Sequence, residues 1–179
     1  MIEELKKKYT PIIQDIIDKN KKFYGFTNTV DWEFFYNEDV AIFGSSKKDL
    51  KLYININSVD FSYKLNEQLH IEYFILHEIR HIYQRRCVLL LDYESEKCPN
   101  IEQAIMWKEN FNNYKDMTNK EEYYFQSVEF DAFIFAYSVM IYKYGIVSYI
   151  IYPKIYDTKN ISINQYIDRW VGLFRLNNL

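Results

Sequence analysis

The stretch from Phe74 to Gln84 constrains this chain more than any other: Phe-Ile-Leu-His-Glu-Ile-Arg-His-Ile-Tyr-Gln. Six apolar residues, Phe74, Ile75, Leu76, Ile79, Ile82 and Tyr83, surround His77, Glu78 and His81. The spacing predicts an α-helix, on which residues four apart stand one turn apart on the same face. An apolar helix carries charge into a core only at a cost, unless the charge is paired or bound to metal. His77 and His81 can offer both imidazoles to one ion. Zinc takes imidazole nitrogen at about 2.0–2.1 Å and prefers four ligands. Glu78 lies about 100° round the helix from His77, beside such an ion and not on it. There it can take a proton from a metal-bound water, the work of a general base. Zn2+ is therefore the expected cofactor.

A catalytic zinc site uses three protein ligands and keeps a fourth position for water. His70 is two turns before His77, too far to share the ion, and Cys87 lies in an apolar run that suits a small buried thiol. Glu129 is the favoured third ligand. It stands in Val128-Glu129-Phe130-Asp131-Ala132-Phe133, where a buried acid needs a cation. Asp131, about 200° away round the same helix, and Glu122, seven residues earlier, remain alternatives. So does a plain ion pair between Glu129 and Arg80 or Arg85.

The rest of the chain reads as a single domain over residues 1–179. Residues 2–22 carry two apolar stripes with Pro11 between them, which predicts two helices with Pro11 in the first turn of the second. Three strand-like runs follow, at 31–36, 40–43 and 50–57. In the last, Leu50, Leu52, Ile54 and Ile56 alternate with Lys51, Tyr53, Asn55 and Asn57, the period of a strand with one buried face. A meander of antiparallel strands is expected, with the third strand lining the cleft and pairing with an extended peptide. The histidine helix should run over 66–86, capped by Asn66. Further helices are expected over 100–112, over 121–143 with Gly145 as its cap, and after a capping box at Ser162. An apolar run, Ile146 to Tyr152, precedes the last of these. The expected fold class is α+β: a small antiparallel sheet packed against helices.

Composition narrows the function. A net charge of −3 gives no electrostatic footprint for nucleic acid. The most apolar window, Tyr123 to Tyr142, is broken by Gln126, Ser127, Glu129 and Asp131, which argues against a membrane span. The first residues lack the apolar core of a signal peptide, and two cysteines make no disulfide framework. A cytoplasmic protein with reduced thiols is expected.

His77-Glu78-x-x-His81, followed by Glu129 in Glu-x-Asp-Ala-Phe, resembles the zincin metallopeptidases whose third ligand is a glutamate. The nearest resemblance is to the compact zincins of phages and mobile elements, the ImmA/IrrE kind, and it covers about residues 30–140. It implies a zincin-like domain that hydrolyses peptide bonds. His77, His81 and Glu129 would then bind zinc, Glu78 would be the base, and the substrate would be a peptide or protein. Two other functions fit the same residues: a zincin-like scaffold that binds a protein partner without catalysis, and a metal hydrolase of a non-peptide bond.

Overall fold

A computed structural model describes residues 2–25, 29–46, 49–65, 67–145 and 163–179. In chain order, the described residues form α1 (Ile2–Asn20), β1 (Trp32–Phe35), β2 (Gly44–Ser46), β3 (Leu52–Asn55), α2 (Ile56–Lys64), α3 (Gln68–Tyr93), α4 (Ile101–Asn112), α5 (Lys120–Phe125), α6 (Ser127–Tyr144) and α7 (Asn164–Leu176). The architecture is mostly helical, which corrects the expected α+β class with an antiparallel sheet.

The sheet differs in topology as well as size. Its strand order is β1-β3-β2, with β1 parallel and β2 antiparallel to β3. The expected strand over 40–43 does not form. The buried side chain of Asn55 explains this: its amide donates to the carbonyls of Asn37, Asp39 and Ile42. Asn57 reaches Asn37 and Glu38, and Ser58 reaches Val40 and Ile42. These carbonyls are satisfied by side chains, so the segment needs no strand partner and crosses to the far side of β3. Asn55 also accepts from the Asn57 amide as the N-cap of α2. The alternation read as a strand to Asn57 therefore ends at Asn55, and a helix begins. Central β3 has partners on both sides, so it cannot pair with a peptide.

Pro11 lies inside a single helix, not between two. Tyr9, Ile13, Ile17 and Asn20 are all buried and follow one continuous face, while Pro11 is exposed. The hydrogen bond it forfeits is on the solvent side, and the packed face carries the helix through.

The histidine helix, α3, runs seven residues past the expected end at Arg86, through the apolar run after Cys87. It lies between α6 and α4 and also meets α1, α2 and the sheet. Ile71, Ile75, Leu76, Ile79 and Ile82 are fully buried. Each stabilises the fold by about 1.5–3 kcal/mol on full burial. Cys87 and Cys98 are both free and buried.

The expected helix over 121–143 is two helices. Gln126 breaks it with extended backbone, ψ 144°. Its side chain accepts from the Lys115 amide and Asn110 and donates to the Lys115 carbonyl. Asn110 in turn accepts from the Val128 amide. This clamp restarts the helix at Ser127. Gly145 caps its far end at φ +77°, as expected. α7 packs on α6 through Ile167, Val171 and Phe174. The expected apolar run at 146–152 and the residues Asn66 and Ser162 lie outside the described residues. No helix among the described residues is long and apolar enough to cross a membrane.

Candidate metal centre

Two elements build the centre. α3 presents His77 and His81 one turn apart. The break at Gln126 places Glu129 in the first turn of α6, where the helix dipole favours a carboxylate. α3 and α6 pack together and bring the three side chains into one buried cluster: Glu129 is 2% exposed, His77 4% and His81 6%. His77 Nε2 lies 3.1 Å from His81 Nε2 and 3.2 Å from Glu129 Oε2, and His81 Nε2 lies 3.2 Å from Glu129 Oε1. Tetrahedral ligands bonded at 2.0–2.1 Å stand about 3.3 Å apart, which is the spacing of the two imidazoles from each other and of each from the carboxylate oxygen it faces. Glu129 Oε2 is buried without a hydrogen bond of good geometry, although His77 is at ion-pair distance. That is the state of an oxygen whose partner is a cation. The buried group of His77, His81 and Glu129 could hold a metal ion.

The other candidate acids are elsewhere. Asp131 accepts from Arg80 Nε at 2.7 Å and from its terminal nitrogen at 3.1 Å. Glu122 is exposed, 3.8 Å from Lys115. Arg80 is thus committed to Asp131, and neither Arg80 nor Arg85 pairs with Glu129. His70 is bound to Glu67 at 2.9 Å, away from the cluster.

Gln84 connects the His81 side of the cluster to the Arg80–Asp131 pair. Its Nε2 donates to the Val128 carbonyl at 2.9 Å and to Asp131 Oδ2 at 2.8 Å, both acceptors only. That fixes the amide, and its Oε1 must accept from His81 Nδ1, 2.8 Å away. His81 therefore carries a proton on Nδ1 and turns Nε2 toward Glu129 and His77. His77 is held by packing instead, with its ring centroid 4.2 Å from that of Phe133.

No protein-family model, curated protein or solved structure matches the chain. The chemistry of the centre has to be read from its own residues.

Without a metal, burial alone would lower the His81 pKa, but the Glu129 carboxylate overrides it and holds the imidazole at about 9. Burial alone would raise the Glu129 pKa. His81 and His77 override that and hold it well below the ordinary carboxylate range.

A cavity of about 370 Å³ opens onto the cluster, and Glu78, Arg85 and Phe111 line it together with His77, His81 and Glu129. Gly44, Tyr114 and Tyr123 complete the wall. The Tyr114 hydroxyl donates to Glu129 Oε1 at 2.7 Å. Burial and the Glu129 carboxylate push the pKa values of Tyr114 and Tyr123 far up, so both hydroxyls stay protonated donors. Gly44 lets edge strand β2 pass over Glu78: a Cβ there would stand 2.8 Å from the Tyr53 carbonyl oxygen and 3.4 Å from Glu78 Cγ. A larger depression of about 710 Å³, by Met106, Asn113 and Phe125, has none of the three ligands in its wall.

The motif reading missed Gly44, Gln84, Tyr114 and Tyr123. Gln84, three residues after a ligand histidine in a buried stretch, was the one with a usable signal. Tyr114 lies in a polar connector, next to the Lys115 backbone that Gln126 holds against α6.

Proposed function

We propose that the protein is a zinc-dependent metallopeptidase, with His77, His81 and Glu129 as ligands and Glu78 as general base. The observation that carries the reading is the position of Glu78. It lines the same cavity as His77, His81 and Glu129 but is not one of the three residues whose ligand atoms cluster together. A purely structural site would need no such acid in an open cavity. Two imidazoles and one carboxylate form a donor set that suits zinc. Bound zinc would lower the pKa of the attacking water and polarise the scissile carbonyl.

The chain's own residues supply the rest. Glu78 accepts the proton of the attacking water and returns it to the leaving amine. Tyr123 offers a neutral hydroxyl to the charge that grows on the carbonyl oxygen, while Tyr114 keeps its hydrogen bond to Glu129. β2 pairs only with β3 among the described residues, and it passes over Glu78. An extended peptide can add to its outer edge and present its backbone to the cavity.

Glu78→Gln tests this reading, because it removes the base and keeps the shape. The variant is expected to fold, retain zinc and lose hydrolysis of a peptide library by at least about a hundredfold. Cleavage at the parent's rate would assign the activity to another group. Loss of zinc would make Glu78 structural.

A further inference from the structure

Arg85 is a cation in the wall of the cavity that makes no ion pair among the described residues. It stands one turn beyond His81 and two beyond His77, on the same face of α3. Its guanidinium lies 4.1 Å from the centroid of Phe111, and its Nε is buried without a hydrogen-bond partner. The contrast with Arg80 is instructive: five residues earlier on the same helix, that guanidinium is spent on Asp131. Burial pulls the Arg85 pKa below the ordinary arginine value, while Tyr114, Glu78 and Asp49 oppose it only through space. A guanidinium carries five donors in a planar fork that matches a carboxylate, and leaving a buried donor unpaired is costly. Phe111 holds that plane in place, so little freedom is lost when an anion docks.

We infer that Arg85 forms a carboxylate-binding subsite beside the metal centre, and that the peptides the site takes carry a carboxylate there. The inference rests on the peptidase reading above. Four residues of helix advance about 6 Å from His81, and an extended peptide advances about 3.3–3.6 Å per residue. The carboxylate thus lies one or two residues from the scissile bond. It can be a free C-terminus or an acidic side chain; the chemistry is shared.

Three hydroxamate probes built on one dipeptide separate these cases: a C-terminal acid, a C-terminal amide, and an amide with an aspartate side chain. Each is titrated calorimetrically into the zinc-loaded full chain. At least one carboxylate probe should bind about tenfold or more tightly than the neutral amide. The tighter of the two identifies the source. In Arg85→Met the ratio should fall to near one, and Arg85→Lys should keep part of it, as a point charge without the fork. If Arg85→Met does not fold by circular dichroism, the Arg85→Lys ratio decides: an unchanged ratio overturns the subsite. Equal binding of all three probes to the parent overturns it too, as does a preference that survives Arg85→Met. Equal weakening of all three in that variant also overturns it, since that marks a guanidinium acting on the group at the metal. Failure of every probe to bind overturns the metal-centre reading beneath it.

Discussion

Gln84 decides which nitrogen of His81 faces the cluster. Its amide is fixed on one side by Val128 and Asp131, so its oxygen accepts the Nδ1 proton of His81. Partners of this kind tune ligand basicity, and their removal costs about 10–100-fold in metal affinity. Gln84→Leu is expected to weaken zinc binding within that range and, in the metal-free protein above about pH 9, where the ring is neutral, to mix the two His81 tautomers in nitrogen-15 imidazole spectra. A single unchanged tautomer would show that packing alone orients the ring. His81 also makes a pH prediction. Its folded pKa, about 9, is raised above the ordinary 6.5. The stability it contributes to the metal-free protein is therefore full below pH 6.5 and is lost as pH rises through about 9. Denaturation midpoints of the metal-free parent should fall over that window. In metal-free Glu129→Gln they should be flat there, because the carboxylate that raises the pKa is gone. A parent that is flat as well would contradict the His81–Glu129 pair.

At the scale of elements, Asn55 and Gln126 do similar work. Each is a buried amide that satisfies the backbone of a distant segment and so ends one element and starts another. Asn55 closes β3, caps α2 and holds the crossing segment at Asn37, Asp39 and Ile42. Asn55→Ala should cost about 2–4 kcal/mol, a lost cap together with stranded carbonyls, read from urea denaturation. A cost below about 0.5 kcal/mol, the level of an ordinary surface substitution, would mean that the crossing segment holds itself. These amides explain what was legible. His77, Glu78 and His81 stood out because four-residue spacing in an apolar run is a local signal. The strand alternation of Leu50 to Asn57 was local too, and it misled. The partners of Asn55 lie 13 to 18 residues upstream, and nothing in the alternation itself announces them. The break before Glu129 was hidden for the same reason: Gln126 is held by Lys115 and Asn110, not by its neighbours.

For the whole molecule, α3 is the axis. One face carries the histidines into the cavity, the opposite faces meet α1, α2 and α4, and α6 closes over it with Glu129. Arg80 joins the two long helices through Asp131. Its guanidinium lies 4.3 Å from the Tyr83 ring, 5.0 Å from Phe135 and 4.8 Å from Trp170. The mostly helical body is consistent with a chain of only 4 glycines and 3 prolines. The expected antiparallel sheet shrank to a three-stranded mixed platform whose edge strand overhangs Glu78. Whether this packing assembles a metal centre from His77, His81 and Glu129 is read by mass-spectrometric metal analysis of protein purified without added metal. About one zinc per chain is expected in the parent, and little in folded His77→Ala, His81→Ala or Glu129→Ala. A parent without metal, or a folded variant holding as much zinc as the parent, would contradict that assembly.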